Sequence, residues 1–482
     1  MPTAVVAGGS IAGLAGALAL SRAGYRVVVL ERAPRPPQWS IAEAAGRWAR
    51  PTAPQGLHSH TLTSLGVKVL KARAPQVLDG ARAAAAPLLD LTGAMPASVT
   101  DRTAQPGDDE LVALGCRRSS LELLLHRAVS DTPGVSVRHD TQVAGIELAA
   151  SERRVRAVRT TAGTRIPADV VLDATGRRAL SRTWLREAGV PLAANWSSPS
   201  GLAGYTRFYR LKTRTRPGPL TRGNAVGGIY SHYAGVLHPG DNDTFSIALC
   251  VLPGDRALHG LGTRAGFTAA ARATPGLLPW LEPDASEPIS PVHALTSPPN
   301  TLWGSAGPLQ VPVAGLFQLG DAACVTNPLF GRGMSLALSH AFALGDLLAR
   351  QPEVDLVQRQ AVARMTQEHF LPWYAQSVAS DRIRIARWKA AVQHTPDPTS
   401  VRPRDAIPTF EEMAGAAQYD ATVWRGLTRM LMSLNTPAEI FDDAFLTRVR
   451  QADRTAPTPA PHLPPDRTEL LRRVTAAEGV LV

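Results

Sequence analysis

Cysteine is scarce. Cys116, Cys250 and Cys324 lie far apart in a chain of 482 residues. Such spacing gives no disulfide framework and no metal-ligand set, and points to a reduced, cytoplasmic setting. Long apolar runs are also missing. Once the glycine-rich beginning is set aside, none is long enough to cross a bilayer, so no transmembrane segment is expected. Acid is short relative to base: 40 Asp and Glu against 51 Lys and Arg, a net charge of +11. The excess is mostly arginine, scattered, with local enrichments at 207–222 and 382–389. On an ideal helix Arg382 and Lys389 face one way and Arg384 and Arg387 another, so the second is no basic stripe. Neither comes with a nucleic-acid motif, so nucleic acid is not an expected partner. The plain reading is a solvated arginine-rich surface; the sharper one is docking of an acidic carrier protein or a phosphorylated substrate. Hydrophobic residues at 44% and charged residues at 19% suit a globular protein of two or three units.

What is present begins at Thr3. Ala4 to Ala7 is a short apolar strand, and Gly8-Gly9-Ser10-Ile11-Ala12-Gly13 a tight turn. Ile11, Leu14, Ala15 and Leu18 recur as one face of a helix, for which Gly24 is a natural stop. Val27 to Leu30 reads as a strand buried on both faces, and Glu31 follows 18 residues after Gly13. This is the βαβ unit that holds the ADP half of a dinucleotide. Glycines admit the pyrophosphate, a helix N-terminus faces it, and the acid takes a ribose hydroxyl. The fingerprint G-x-G-x-x-G has Ser10 at its second glycine, the smallest substitute that keeps a hydroxyl.

Further along, Gln55-Gly56-Leu57-His58-Ser59-His60 leads into a helix through Leu65 and Val69. No third ligand accompanies the two histidines, so no metal is expected. They line a cofactor or substrate, or cap that helix. Residues 81–110 read as turns and short edge strands. A helix opens near Arg118 with Ser119 or Ser120 as N-cap. Strands follow at 135–138, 143–148, 153–161 and 168–172, the last ending in Asp173-Ala174-Thr175-Gly176, with Arg177, Arg178 and Arg182 beyond. Either dinucleotide contact or an ordinary solvated turn suits that end. From 201 to 252 the pattern is antiparallel: Phe245, Ile247, Leu249 and Val251 alternate with Thr244, Ser246, Ala248 and Cys250 after the hairpin turn 240–243. The partner strand is expected to begin at Gly227 and Tyr230, one face packed and one free to wall a pocket. Residues 315–319 form a strand ending at Asp321, then a Pro/Gly loop, then a long helix from Met334. An acid after a buried strand, with Gly331 and Gly333 at a helix start, is a second polyol- and anion-binding arrangement. Residues 350–450 read as helical, interrupted at 396–408, and the last 17 as a loosely docked helix or a tail.

Three stretches now coincide: GGSIAG…ER, DATG…SR and GDAACVTNPLFGRGM. Together they resemble the group A flavoprotein monooxygenases, the p-hydroxybenzoate hydroxylase and squalene epoxidase class, over about 3–350. The GGS variant, QGLHSH and the C-terminal helices look most like an actinobacterial branch with polyether-type epoxidases. The resemblance implies an α/β fold. A discontinuous Rossmann-like FAD-binding domain would take 1–80, 111–195 and 306–350. An antiparallel β-sheet substrate domain would take 81–110 and 196–305, a helical region 351–453, and a Pro-rich tail 454–482. After Gly8 and Gly9, the residues Ser10, Ile11, Ala12 and Gly13 would surround the pyrophosphate. Glu31, beside Arg32, would hold the adenosine ribose, and Val143 the adenine through its backbone. Arg118 would touch the phosphate or ribityl region and Asp321 the ribityl chain. Pro328 would lie on the flavin face where oxygen reacts, and Gly331, Gly333 and Met334 would bond the pyrimidine end.

The implied activity is a flavin C4a-(hydro)peroxide epoxidising or hydroxylating a lipophilic small molecule, a polyketide-like or aromatic natural-product intermediate, with O2 as co-substrate. Thr175-Gly176 replaces the family's Asp-Gly, which leaves NAD(P)H or a separate flavin reductase as electron source. No catalytic acid–base residue is identified. His58, His60, Tyr209, Tyr230, Phe245 and Phe330 are the candidate substrate contacts. A halogenase would need a Trp-x-Trp-x-Ile-Pro segment, which the chain lacks. A reductase or desaturase of a prenyl or polyene chain, or a non-catalytic FAD-bound biosynthetic partner, is the alternative.

Overall fold

The computed structural model describes residues 1–149, 153–213, 215–304, 313–399, 408–452 and 463–479. Thr3–Ala7 is the central strand of a five-stranded parallel sheet. Its neighbours are Arg26–Leu30 and then Val135–Arg138 on one side, and Val170–Asp173 and then Leu316–Gln318 on the other. Strands so enclosed are apolar on both faces, as Val27 to Leu30 are. The helices Ile11–Arg22, Arg118–Ser130 and Gly333–Arg350 cover one face. A small antiparallel sheet, Val143–Ala149, Arg154–Thr160 and Arg165–Pro167, covers the other with the helix Leu180–Glu187. The chain thus leaves this sheet after Val170–Asp173 and returns more than a hundred residues later with Leu316–Gln318. Gly24, at φ +86°, ends the first helix. The helix Arg118–Ser130 is capped by the extended backbone of Arg117, not by a serine. Ser119 instead donates to the Ala45 carbonyl and Ser120 to Asp241.

A second sheet is antiparallel, in the order Val226–Ile229, Ala234–Pro239, Thr244–Val251, Ala203–Leu211 and Ser286–Pro288, with His293–Thr296 also on Ala203–Leu211. The hairpin turn falls where the sequence places it, with Asn242 and Asp243 both at φ +53°. Its partner strand differs from expectation. Thr244–Val251 pairs with Ala234–Pro239, and Val226–Ile229 is an edge strand one place further out. A tight turn keeps the nearest strand in sequence adjacent, and Tyr230 to Tyr233 make a further turn between the two.

Three more features position the cavity between the sheets. The 38-residue helix Leu356–Gln393 runs along it, its N-terminus capped by Asp355. The helices Phe410–Ala416 and Ala421–Leu431 close the far side. The interruption expected at 396–408 falls after His394, at φ +54°, with 400–407 outside the described residues. The C-terminal helix Arg467–Gly479 is firmly docked rather than a loose tail. Leu470 and Val474 are buried in the core of the second sheet, and Arg467 grips both carboxylate oxygens of Asp255 at 2.7 Å. Of the expected Pro-rich tail, 454–482, residues 454–462 and 480–482 lie outside the described residues.

Candidate functional site

The glycine turn divides into residues that pack and residues that face a ligand. A Cβ on Gly13 would stand 1.8 Å from the Gly8 carbonyl oxygen, and one on Gly9 2.9 Å from the Glu31 Cβ. Both positions therefore close the turn and are not exposed to the cavity, which Gly8, Ser10, Ile11 and Ala12 line. Gly13, expected among the residues around a pyrophosphate, does not line the cavity. Its missing side chain lets helix and strand approach. Gly8 itself sits at φ +108° with its Cβ position 2.5 Å from the Ala174 carbonyl oxygen, so no other residue fits. Glu31 is buried. Its Oε2 accepts the Gly9 N–H at 2.7 Å and Oε1 the Ala33 N–H at 2.8 Å. Arg32 stands beside it at the cavity wall.

Ser10 is locked in a charge cluster. Its Oγ donates to Glu122 Oε2 at 2.8 Å and accepts from Arg118 Nη2 at 2.7 Å. Arg118 Nη1 also donates to Glu122 Oε2 at 2.7 Å, and Arg50 approaches Glu122 Oε1 at 2.5 Å. Arg50 Nη1 also lies 3.8 Å from Glu31 Oε1, so at the turn two guanidinium groups meet two buried carboxylates. Arg50 carries no motif, and nothing in the sequence marks it.

The second corner is the late loop. Asp321 lines the cavity. Burial pushes its carboxyl above the usual range, against the pull of Arg118 and Arg177. Asn327 caps its own loop, Oδ1 accepting the Leu329 N–H at 2.9 Å, and Pro328 faces the cavity. Gly331, at φ +64°, turns the chain into the helix Gly333–Arg350. No side chain caps that helix, so the first-turn N–H groups at Gly333 and Met334 lack an intrahelical acceptor where both residues line the cavity. Arg332 is buried, its guanidinium between the rings of Phe330 and Trp373 at 4.4 and 4.8 Å, with Nη1 on Gln376 at 2.6 Å. Its pKa is brought down to about 9 by burial.

The segment His58 to Thr63 ties the antiparallel sheet to the helix Gly333–Arg350. His58 Nδ1 is 3.2 Å from Thr206 Oγ1, Ser59 Oγ is 2.7 Å from Ser246 Oγ, and Thr63 Oγ1 donates to Ser335 Oγ at 2.7 Å. Thr63, not a histidine, occupies the N-cap of the following helix. Burial, aided by His293, lowers the pKa of His58 to about 4. Burial and the Arg118 charge lower that of His60 to about 3. Both rings are therefore neutral near pH 7, and both line the cavity.

That cavity measures about 1010 Å³ and connects the two corners with the antiparallel sheet. Tyr230 and Phe330 line it, as does Val143. Tyr209 and Phe245 do not. They stack on each other at 5.1 Å on the opposite face of the sheet, and Phe245 meets Trp280 edge-on at 5.4 Å. The more apolar face of Thr244–Val251 packs on the helix Arg264–Ala273, and the face with Ala248 and Cys250 meets the cavity. Asp173 is likewise structural. It accepts the N–H groups of Thr175 and Ser181 at 2.9 and 2.7 Å, whereas Arg177 and Arg178 reach the cavity wall. Among the described residues no three His, Cys, Asp or Glu side chains are grouped to hold a metal ion. No helix among them is long and apolar enough to cross a membrane.

No protein-family model matches the sequence, and no curated protein matches it. Solved structures share the fold. The chain is similar to PqsL, a probable FAD-dependent monooxygenase from Pseudomonas aeruginosa, at 17% identity and a TM-score of 0.58, over 82% of this chain and 100% of that one. It is similar to the flavin-dependent brominase Bmp2 at 14% identity and a TM-score of 0.58, over 94% and 98%. It is similar to OxyS anhydrotetracycline hydroxylase from Streptomyces rimosus at 16% identity and a TM-score of 0.54, over 90% and 76%.

Proposed function

We propose that the chain binds FAD and works as a group A flavin-dependent monooxygenase on a lipophilic small molecule. One observation carries this reading: the glycine turn and the Asp321–Met334 loop, more than three hundred residues apart, open on the same cavity. One corner suits a pyrophosphate, through the Gly8 cradle, the uncapped start of the first helix and the Arg50 and Arg118 guanidinium groups at the cavity wall. The other suits a sugar-alcohol chain and a ring, through the Asp321 carboxylate and the free N–H groups at Gly333 and Met334. A nicotinamide dinucleotide has no use for the second. Glu31 would hold the ribose, Val143 the adenine end, and Pro328 would face the ring. Bound FAD would supply the activation of O2.

The protein's own residues would then orient the substrate and exclude water. Leu202, Cys250 and Trp388 form an apolar patch on the cavity face of the sheet, and Leu329, next to Pro328, packs against it. A polyketide-like or aromatic body suits that wall, in keeping with the anhydrotetracycline of OxyS and the 2-aminobenzoylacetate bound by PqsL. Neutral His58 and His60 can hydrogen-bond a substrate without adding charge. Electrons would come from NAD(P)H or a separate flavin reductase. Hydroxylation and epoxidation share this geometry. The test is to load the protein with FAD, reduce it anaerobically, and add isotopically labelled O2 with a panel of polyenes and aromatic acids. Labelled oxygen in product is expected. Product without label supports a reductase or desaturase, and failure to take up FAD overturns the reading.

A further inference from the structure

Polar side chains gather where the antiparallel sheet closes the cavity. Arg222, Gly223 and Asn224 form a tight turn before the edge strand Val226–Ile229, with the Arg222 N–H on the Ala225 carbonyl at 3.0 Å and Gly223 at φ +76°. A Cβ on Gly223 would stand 2.8 Å from Leu91 Cα, so the turn is pressed against the neighbouring segment and held there. Arg222, Asn224, Tyr230 and His238 all line the cavity. The Tyr230 backbone is anchored by Trp388, whose Nε1–H donates to its carbonyl at 2.9 Å.

Each group is unusual for its burial. Asn224 is 3% exposed, and its Oδ1 has no hydrogen-bond partner. Its backbone carbonyl lies 3.3 Å from His238 Nδ1, and burial beside the Arg222 charge lowers the pKa of that ring to about 4. His238 therefore donates there as a neutral ring. Arg222 is half-buried, and burial lowers its pKa with only the Tyr230 phenol acting against that shift. No described carboxylate pairs with it. The other arginines along the substrate side are accounted for. Arg384 lies on Asp381 at 3.0 Å, Arg387 on Asp397 at 2.9 Å, and Arg332 between two rings. Arg50 and Arg118 share Glu122.

A guanidinium withdrawn from water without a counter-ion is costly, and its planar fork matches the two oxygens of a carboxylate. A phosphate dianion would call for a second cation, and at this end the remaining groups are a neutral amide, a phenol and a neutral imidazole. We propose that Arg222 anchors a carboxylate of the substrate, which is therefore an organic acid with its apolar body along Leu202, Ala248 and Cys250. The proposal rests on the reading of this cavity as the substrate cavity of a flavoenzyme. It assigns a specificity-determining role to one member of the arginine enrichment at 207–222.

Calorimetric titration of the full chain, as purified, with matched pairs tests it: 4-phenylbutanoate against 4-phenylbutanamide, and cinnamate against cinnamamide. The acids are expected to bind about ten- to a hundredfold tighter than the amides, the span of a hydrogen bond to a charged group. Arg222→Gln is expected to erase that preference without lowering the melting temperature, since it removes an unpaired charge. If that variant does not fold, Arg222→Lys is read in its place, with several-fold weaker acid binding expected from loss of the fork. Equal binding of acid and amide, no heat from either acid, or an undiminished acid preference in the variant overturns the proposal. Heat of binding is read whether or not flavin is present. Loss of the flavoenzyme reading, seen as failure to take up FAD, is thus separate from loss of the carboxylate site.

Discussion

Asp381, in the middle of the long helix Leu356–Gln393, accepts the side-chain amide of Asn327 on Oδ1 at 2.6 Å. Its Oδ2 accepts Asn300 Nδ2 at 2.7 Å, and Asn300 Oδ1 in turn accepts the Asn327 N–H at 2.7 Å. Arg384 adds a charge-assisted bond to Oδ1 at 3.0 Å. One buried carboxylate thus fixes the residue immediately before Pro328 from a helix outside the parallel sheet. Asp381→Ala takes the carboxylate from two amides and from Arg384, which keeps only its bonds to the Gly201 and Ser200 carbonyls. The expected loss is about 3–5 kcal/mol, as for other broken buried ion pairs. Hydrogen exchange should locate the damage. Amides of 326–331 are expected to lose protection before those of Thr3–Ala7, and uniform exchange across both would show that the network does not hold the loop.

The turn Gly8 to Gly13 yields a contrast between two substitutions. Consensus would favour Ser10→Gly, which restores the dinucleotide fingerprint. The structure predicts the opposite, because the Ser10 hydroxyl both donates to Glu122 and accepts from Arg118. Its removal is expected to cost about 1.5–3 kcal/mol, the range for hydrogen bonds to charged groups. Gly13→Ala drives a methyl into the Gly8 carbonyl and is expected to abolish folding or cost more than about 3 kcal/mol. Urea denaturation of both variants decides. A Ser10→Gly protein as stable as the parent removes the structural role of the hydroxyl.

The turn was legible because its constraints are local. Strand period, helix period and glycine spacing all lie within Thr3 to Arg32, and Leu316–Gln318 followed by Asp321 repeats the same grammar. The second sheet was legible only in part. Alternation along Thr244–Val251 separates two faces correctly, but only the helix Arg264–Ala273 and Trp280 decide that the Phe245 face is the dry one. The aromatic residues drew attention away from Ala248 and Cys250, whose small size makes the cavity. Arg50, Arg222, Asn224 and Asp381 carry no motif. The roles of Arg50 and Asp381 arise from partners 72 and 81 residues away, and that of Arg222 from the lack of a carboxylate partner, and neither is written in local pattern. For Arg50 and Glu122, and for Asp381 and Asn300, only the fold creates the pair.

Acid should weaken the fold through its buried histidines. His340 Nε2 lies 2.9 Å from Thr366 Oγ1, and its ring is 5.3 Å from that of His369, which bonds the Leu336 carbonyl at 3.0 Å. Burial lowers the pKa of His369 to about 4 and holds that of His340 well below the usual 6.5. Below pH 6.5 the unfolded chain binds protons that the folded chain refuses. Stability is therefore complete above that pH and falls as the pH drops toward 4, by up to about 1.4 kcal/mol per pH unit for each such ring. The buried carboxyls of Asp321 and Asp381, raised in the fold, act in the opposite sense at the low end. Melting temperatures between pH 7 and pH 4.5 should drop steeply, and His340→Gln, which can still meet Thr366, should flatten the slope. An unchanged slope in that variant would show that His340 is already charged in the fold.

The two faces of the antiparallel sheet should respond differently to volume. Phe245 is buried between Tyr209 and Trp280, so Phe245→Leu opens a void and is expected to destabilise by about 1–3 kcal/mol while leaving acid binding unaltered. Ala248 points the other way, into the cavity beside Cys250 and Leu202. Ala248→Phe adds a ring to open space rather than to a packed core, so the melting temperature should hold. Flavin uptake should hold too, since Ala248 belongs to the sheet and neither Gly8 nor Asp321 contacts it through a hydrogen bond. Calorimetric binding of 4-phenylbutanoate should fall at least about tenfold, because the ring takes the volume that the apolar body of the ligand needs. If Phe245→Leu weakens the acid and Ala248→Phe does not, the ligand lies on the other side of the sheet from the one assigned to it.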